Sequence, residues 1–156
     1  LEEYGPSWII MRQSTIADLI MIKAYRIRQI EVSGKQVLPE TIEDEWAGII
    51  NYAIIGLILV RGVGEKSNEK LLQAYDSIVN EAIDLFQKKN TDYADAWRNM
   101  EPSSFTDIVL SRVFRIKNMI STGDSEKLAS HIENNLFDTI NYGVFALLKR
   151  NFVKDD

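Results

Sequence analysis

The stretch NTDYADAWRNMEPSSFTDIVLSRVFRIKNM, residues 90–119, decides the fold because an altered copy of it opens the chain. Residues 1–30 read LEEYGPSWIIMRQSTIADLIMIKAYRIRQI, and a shift of about 89 positions aligns the two stretches. The shift pairs Tyr4 with Tyr93, Trp8 with Trp97, Met11 with Met100, Ser14 with Ser103, Asp18 with Asp107, and Arg26-Ile27 with Arg115-Ile116. After a one-residue insertion, residues 42–43 match 132–133 and residues 50–52 match 140–142. Self-similarity at a fixed spacing indicates a tandem duplication, so the function should lie in residues that both copies keep.

The duplication divides the chain into two repeats within one predicted domain. We place repeat 1 at residues 1–60, a linker at 61–67 and repeat 2 at 68–156. A chain of 156 residues with 46% hydrophobic positions can bury one core, but it is too short to promise two independent cores. Repeat 2 opens with a helix whose counterpart in repeat 1 would precede Leu1. Because that helix and an initiator methionine are both missing, we expect that an upstream segment has been removed.

The spacing of apolar residues predicts an all-α fold, a bundle of about five major helices built from the two pseudo-symmetric repeats. The central helix should run from Glu40 to Gly62, with its apolar face formed by Trp46, Ile49, Ile50, Ala53, Ile54, Leu57 and Ile58. Few β-branched alternations bounded by turn residues occur, so no sheet is expected. If repeat 1 lacks its leading helix, this face is partly uncovered. We therefore predict that a second copy of the chain or a missing N-terminal segment covers it.

The starts of the other helices are predicted from capping residues. Ser67 or Asn68 should cap a helix that reaches about residue 89, and helices near 104–121 and 125–150 complete repeat 2. Two equivalent helices should each begin at a capping box, Thr15 with Asp18 in repeat 1 and Ser104 with Asp107 in repeat 2.

Composition excludes several classes of function. The net charge of −5 and the isoelectric point near 5.0 disfavour duplex nucleic acid as a direct partner, because its backbone requires a dense Lys/Arg surface. No cysteine and a single histidine, His131, exclude a disulfide framework, a thiolate nucleophile and a multi-histidine metal cluster. The most apolar run, residues 47–60, is shorter than the roughly 20 residues that cross a bilayer. No signal peptide is visible, and we expect a cytoplasmic protein without a membrane anchor.

Asp138 and Glu133 are the candidate metal ligands. They lie on neighbouring strips of the last predicted helix. Mg²⁺ binds a few carboxylate oxygens and fills its remaining octahedral positions with water and phosphate oxygens, so this pair favours a magnesium site. Spacing alone also allows both carboxylates to be solvated or to pair with a neighbouring arginine. In repeat 1 the position equivalent to Asp138 is Gly48, so the acid is missing there.

Arg112 and Arg115 are the candidate phosphate ligands. They lie three residues apart on the penultimate helix, as Lys23 and Arg26 do in repeat 1. Such a pair can hold a phosphate at two points. The alternative is one inter-helix ion pair in each repeat, Arg26 with Glu43 and Arg115 with Glu133.

Two further repeated features carry polar or aromatic groups. Asn51 and Asn141 are amides amid apolar residues, and each needs a partner, either a facing helix or a ligand. Tyr93 and Trp97 lie four residues apart, a spacing that suits core packing better than a platform for stacking a base.

With these motifs assembled, repeat 2 resembles the nucleotide modification associated domain of the first type, and tandem bacterial members are the nearest likeness. The resemblance rests on the Asp92-Tyr93 and Trp97 segment, on Arg112-x-x-Arg115, and on Asp138-x-x-Asn141-Tyr142. It covers residues 71–150, and a weaker copy covers residues 4–60.

That family is in turn similar to the MazG-like all-α nucleoside triphosphate pyrophosphatases. The resemblance implies that Asp138 and Glu133 hold Mg²⁺, that Arg112 and Arg115 contact phosphates, and that Asn141 and Tyr142 line a nucleotide pocket. The chain departs from those enzymes because the helix that carries their Glu-x-x-Glu pair carries the arginine pair instead. We therefore keep two hypotheses, a nucleotide-binding protein that hydrolyses nucleoside triphosphates and a non-catalytic helical module for interaction or regulation.

Overall fold

Five α-helices form the protein, as a computed structural model of residues 11–62, 67–123 and 126–152 shows. They are α1 (Gln13–Ser33), α2 (Ile42–Arg61), α3 (Asn68–Tyr93), α4 (Pro102–Thr122) and α5 (Leu128–Phe152), with a 3₁₀ turn at Ala96–Asn99. Within these residues there is no β-strand. The predicted all-α bundle of five helices is confirmed.

The two repeats form a pseudo-twofold four-helix arrangement. Helix α4 begins and ends 89 positions after α1, and α5 takes the place of α2. Helices pack within each repeat, α1 on α2 and α4 on α5, and across the repeats, α1 on α4 and α2 on α5. Helices α1 and α4 run antiparallel. An acid near the start of each helix pairs with a base near the end of the other, which shows this direction.

Two ion pairs show this symmetry directly. Arg28 of α1 donates to Asp107 of α4 at 2.6 Å, and Lys117 of α4 donates to Asp18 of α1. The repeat shift takes Arg28 to Lys117 and Asp18 to Asp107, so one contact is made twice in opposite directions. Such reciprocity is the mark of a twofold interface. Here both halves of the interface belong to one chain.

The same two acids were predicted to cap helices, and that prediction is wrong. Helix α1 starts at Gln13 and α4 at Pro102, and neither helix has a side-chain cap. Asp18 and Asp107 therefore lie beyond the first turn, too late to bond the unpaired N–H groups of a helix start. Proline in the first turn suits the start of α4, because its fixed φ is already helical. Ser67 does cap α3 as predicted, accepting from the backbone N–H of Lys70 at 3.2 Å.

Helix α3 packs on both α2 and α5, one helix from each repeat. Its apolar residues face a cavity of about 150 Å³ that is closed by α2 and α5, and the lining residues are Ile50, Ile54, Val79, Ala82, Ile83, Phe86, Ile140 and Val144. Ile50 is equivalent to Ile140, and Ile54 to Val144, so the two repeats present matching positions to one helix. Helix α3 therefore contacts both repeats.

This position of α3 explains why the predicted uncovered face of α2 is not found. Trp46 is 2% exposed, and Ile49 and Leu57 are fully buried by the chain itself. The prediction that a second copy or a missing segment must cover residues 46–58 is wrong, because α1, α3 and α5 all pack on α2. None of the helices in the described ranges is both long and apolar enough to cross a membrane.

Candidate functional site

Asp138 is the centre of an ion cluster formed by three helices. Its Oδ1 accepts from Lys89 Nζ of α3 at 2.7 Å, and its Oδ2 accepts from Arg112 Nε of α4 at 3.1 Å. The three side chains are between 21% and 28% exposed, so the cluster is half-buried and reachable from solvent. Arg115, one turn further along α4, is exposed and forms no ion pair with the described residues. Two cations therefore bind a single carboxylate.

Glu133 does not join this cluster. It accepts from Arg61 Nη2 at 2.7 Å, and the same guanidinium binds Glu81 with two further bonds. These two carboxylates raise the pKa of Arg61 above its ordinary value. Of the three interpretations that spacing left open, a magnesium ligand, a solvated carboxylate and a pair with a neighbouring arginine, the structure has the arginine pair for both Asp138 and Glu133.

As arranged, these residues do not fit a magnesium site. Both oxygens of Asp138 accept from cations, and Glu133 is held by a different arginine. No group of three histidine or acidic side chains in the described ranges could hold a metal ion. Mg²⁺ would have to displace Lys89 and Arg112 to reach the only carboxylate of the cluster.

A cavity lies beside the ion cluster, between the end of α3, the 3₁₀ turn and α5. It measures about 190 Å³ and is lined by Asn90, Tyr93, Ala96, Trp97, Met100, Tyr142 and Phe145. Asn90 follows Lys89 directly, and Tyr142 lies one helical turn after Asp138, so the cavity and the cluster are neighbours. The rings of Tyr142 and Phe145 are 6.0 Å apart.

Two buried polar atoms of the cavity lining have no hydrogen-bond partner among the described residues. They are Trp97 Nε1 and Asn90 Oδ1. Trp97 is only 6% exposed, and the amide of Asn90 is held by the bond from its Nδ2 to Asp95 Oδ1 at 2.8 Å. A buried polar atom without a partner costs about 1 to 3 kcal/mol.

The turn between Asn90 and Trp97 is strained. Ala94 and Asp95 have φ of 52° and 58°, in the left-handed region that residues other than glycine seldom adopt. Such a conformation costs roughly 1 to 3 kcal/mol per residue and occurs preferentially at functional sites. The strain therefore falls at the edge of the cavity with the unpaired atoms.

The family model described as nucleotide modification associated domain 1 matches residues 1–60 and 89–149. The chain belongs to this family. The two matched segments contain α1 with α2 and α4 with α5, and they support the tandem repeat. Comparison with curated proteins and with solved structures gives no match. The similarity to MazG-like pyrophosphatases therefore stays a prediction.

Most of the residues that line the cavity in the second family segment have a matching residue in the first segment, but Asn90 does not. Tyr93, Trp97, Met100 and Tyr142 line it in the second segment, and the repeat matches them to Tyr4, Trp8, Met11 and Tyr52. Asn90 and Phe145 correspond instead to Leu1 and Ile55. Tyr4 and Trp8 lie outside the described residues. The acceptor Asn90 therefore has no sequence counterpart in the first family segment.

The first family segment uses its two cations differently. Lys23 and Arg26 both donate to Glu45, at 3.4 Å and 2.9 Å, and Glu45 is buried. Glu45 lies one turn before Gly48, the position equivalent to Asp138. A Cβ on Gly48 would lie 2.7 Å from Lys23 Cε, so the lysine chain occupies the space of the missing acid.

The predicted inter-helix ion pairs of the repeats are wrong in their partners. Arg26 binds Glu45 rather than Glu43, and Glu43 accepts from Arg150 Nε at 2.7 Å. Glu133 binds Arg61 rather than Arg115. Sequence spacing fixes the strip of a helix on which a residue lies, but not which strip of another helix faces it.

Asn141 and Tyr142 were both predicted to line a nucleotide pocket. Tyr142 lines the cavity. Asn141 is 1% exposed and lies in neither cavity described above, and no described residue bonds its Nδ2 or its Oδ1. Its counterpart Asn51 accepts from the hydroxyl of Tyr75 at 2.9 Å. We have no physical account of the unpaired amide of Asn141.

The repeat gives no signal for Lys89 or Asn90. The position equivalent to Lys89 precedes Leu1, so the sequence offers no residue to compare with it, and the position equivalent to Asn90 is a leucine. The repetition of Tyr93, Trp97, Met100 and Tyr142 was the available signal, and the structure brings these four residues to one cavity.

Proposed function

We propose that repeat 2 binds a nucleotide, with the base in the cavity beside Trp97 and the phosphates at Lys89 and Arg112. The observation that carries the proposal is the position of a cavity lined by aromatic residues next to a cluster rich in cations. Aromatic rings stack on bases, and Lys and Arg recognise phosphate oxygens. The description of the family supports the same class of ligand.

The cation cluster has bonding capacity left for a phosphate. Arg112 uses Nε for Asp138, and no described residue accepts from its two terminal nitrogens. Lys89 has three donors, of which one reaches Asp138. Because Lys89 and Arg112 carry two positive charges against the one negative charge of Asp138, the cluster attracts an anion. Arg115 lies next to Arg112 on α4 and adds a further exposed cation.

In this arrangement of its residues, the proposed site binds a nucleotide without hydrolysing it. Hydrolysis of the predicted kind needs a carboxylate free to hold Mg²⁺, and Asp138 is shared between two cations. The site therefore suits a module that senses or presents a nucleotide. Hydrolysis is retained as one outcome of the test below.

The test is calorimetric titration of the full chain with nucleoside mono-, di- and triphosphates, in EDTA and in Mg²⁺. We expect binding in EDTA. Lys89→Gln should weaken that binding about tenfold, because a hydrogen bond to a charged group contributes about 1.5 to 3 kcal/mol.

Lys88→Gln is the matched control. Lys88 is the adjacent residue of α3, its side chain is 72% exposed, and it pairs with Asp84. It should leave the affinity unchanged. Absence of binding in EDTA, or equal losses in the two variants, would refute the proposal. Pyrophosphate release that requires Mg²⁺ and disappears in Asp138→Ala would establish the hydrolase instead.

A further inference from the structure

The cavity under α3 is a second candidate site, apart from the cavity beside Trp97. It measures about 150 Å³ and lies between α2, α3 and α5. All eight residues that line it are apolar, and none of these eight also lines the cavity beside Trp97. Because its side chains offer water no hydrogen-bond partner, a cavity of this kind stays dry.

The walls of this cavity are stiff. Branching at Cβ restricts χ1, so β-branched side chains turn into an open space less readily than leucine or methionine. Phe86 is a further wall, and its ring packs on Phe145 with the centroids 4.7 Å apart. Six of the eight lining residues are β-branched, namely Ile50, Ile54, Val79, Ile83, Ile140 and Val144. The cavity is therefore formed before any ligand binds.

We propose that this cavity binds an uncharged hydrocarbon group of about six carbon atoms, such as one aromatic ring or a short branched alkyl chain. An apolar cavity of about 150 Å³ engineered into another protein binds benzene, and the volume here is the same. A hydrocarbon group gives up no hydrogen bond when it leaves water, so the absence of polar side chains from the cavity lining costs it nothing. The site does not depend on the proposed nucleotide site.

Ile83 marks the opening of the cavity. It lines the cavity and is also 50% exposed. The walls contributed by the other two helices are buried, since Ile54 of α2 is 5% exposed and Ile140 of α5 is 3% exposed. A ligand therefore enters beside Ile83 and meets α2 and α5 at the bottom of the cavity.

An occupant of the cavity would fasten α3 to the rest of the bundle. All of α3 lies in the described ranges, yet only Leu71, Ile78 and Ala82 are buried in it, whereas nine residues of α2 are buried. The ligand would contact α3 on one side and α2 and α5 on the other. Because the unfolded chain has no such cavity, the ligand binds the folded state and raises Tm.

The first test is thermal unfolding of the full chain in benzene. Removal of six ring carbons from water corresponds to a Kd on the order of 1 mM. At about ten times that concentration, Tm should rise by about 3 to 6 °C.

An NMR titration of the unmodified chain with benzene locates the site. The ring current should shift the δ1 methyl resonances of the isoleucines that line the cavity, with one benzene per chain. These isoleucines are Ile50, Ile54, Ile83 and Ile140. The matched controls are fully buried isoleucines outside the cavity lining, whose methyl resonances should not shift, namely Ile16, Ile20 and Ile27.

Two variants fill the cavity from one position. Ala82→Leu and Ala82→Met each place a larger apolar side chain in it, and each should weaken benzene binding at least tenfold. Ala47→Leu makes the same change at an exposed position of α2 and should leave benzene binding unchanged. Circular dichroism shows whether each variant is folded.

Absence of both the rise in Tm and the methyl shifts in the parent would overturn the inference. Equal rises in Tm for the parent and a folded Ala82 variant would overturn it too, as would shifts spread evenly over all isoleucines, because both indicate non-specific binding. If neither Ala82 variant folds, the methyl shifts of the parent decide between the two readings.

Discussion

Replacement of Asp138 by asparagine tests which of two roles this carboxylate has, restraint of two cations or binding of a metal ion. The variant keeps the shape of the side chain and removes its charge. Lys89 and Arg112 then lose the only acid with which they pair in the described residues. Stability and nucleotide affinity should respond in opposite directions.

The loss of stability can be estimated from the two contacts. Lys89 Nζ and Arg112 Nε lie 2.7 and 3.1 Å from the carboxylate oxygens, so both bonds are assisted by charge. Buried bonds of this kind contribute about 1.5 to 3 kcal/mol, whereas exposed ion pairs contribute about 0 to 1 kcal/mol. The side chain of Asp138 is 27% exposed, and the asparagine oxygen still accepts one bond. We expect the free energy of unfolding to fall by about 1 to 2 kcal/mol.

The affinity for a nucleotide in EDTA should increase. A phosphate competes with Asp138 for the same cations and is repelled by its charge. Two unit charges 4 Å apart interact by about 1 kcal/mol in water and by about 4 kcal/mol at the effective dielectric of a protein surface. The lower figure, suited to a partly solvated cluster, corresponds to about fivefold tighter binding.

Urea unfolding and calorimetric titration measure the two effects. Asp84→Asn is the control, because Asp84 forms an exposed pair with Lys88 on α3. It should change stability by less than about 0.5 kcal/mol and leave affinity unchanged. Weaker nucleotide binding by Asp138→Asn, seen in Mg²⁺ but not in EDTA, would refute this reasoning and identify Asp138 as a metal ligand.

Three further predictions concern buried and half-buried positions. In urea unfolding, Gly56→Ala should be less stable than Gly48→Ala by about 2 kcal/mol. A Cβ at position 56 would lie 2.9 Å from Leu136 Cδ1 in the core, whereas a Cβ at position 48 would meet the flexible end of Lys23. Equal stabilities of the two variants would contradict this prediction. Burial raises the pKa of Glu31 above the ordinary 4.5, so the free energy of unfolding should fall as the pH rises above 4.5 and this carboxyl ionises. Glu31→Gln should therefore be more stable than the parent at pH 7, and its free energy of unfolding should depend less on pH above 4.5. An unchanged pH dependence would count against this prediction. Asn141→Leu should leave stability unchanged or raise it, since the amide has no partner in the described ranges, and a loss above about 2 kcal/mol would reveal a bond that these residues do not supply.

Much of the fold could be predicted from the sequence. The repeat and the apolar periodicity predict five helices, and Ser67 marks the start of α3. The predictions of two capping boxes were wrong, because the local sequence around Asp18 and Asp107 does not distinguish a bond to a helix start from an ion pair with another helix. Their actual partners depend on the antiparallel packing of α1 and α4, which no local pattern specifies.

The site was harder to predict than the fold. The repeat identified Trp97 and Tyr142 as shared residues, yet local spacing could not show that α5 and the 3₁₀ turn bring them to one cavity. The repeat could not identify Lys89 or Asn90, because neither residue is among those that the two copies share. Residues that differ between duplicated segments carry the information in such a case.

The acids of the two repeats give a physical reason for that difference. In repeat 2 the half-buried Asp138 accepts from Lys89 of α3 and Arg112 of α4, and both cations keep donors for a further anion. In repeat 1 the position equivalent to Asp138 is Gly48, and Lys23 and Arg26 are held together by the buried Glu45. The side chain of Lys23 also fills the space that an acid at position 48 would need. The same two helices therefore present different charges in the two repeats, and the half-buried cluster of repeat 2 is the one that a phosphate can reach.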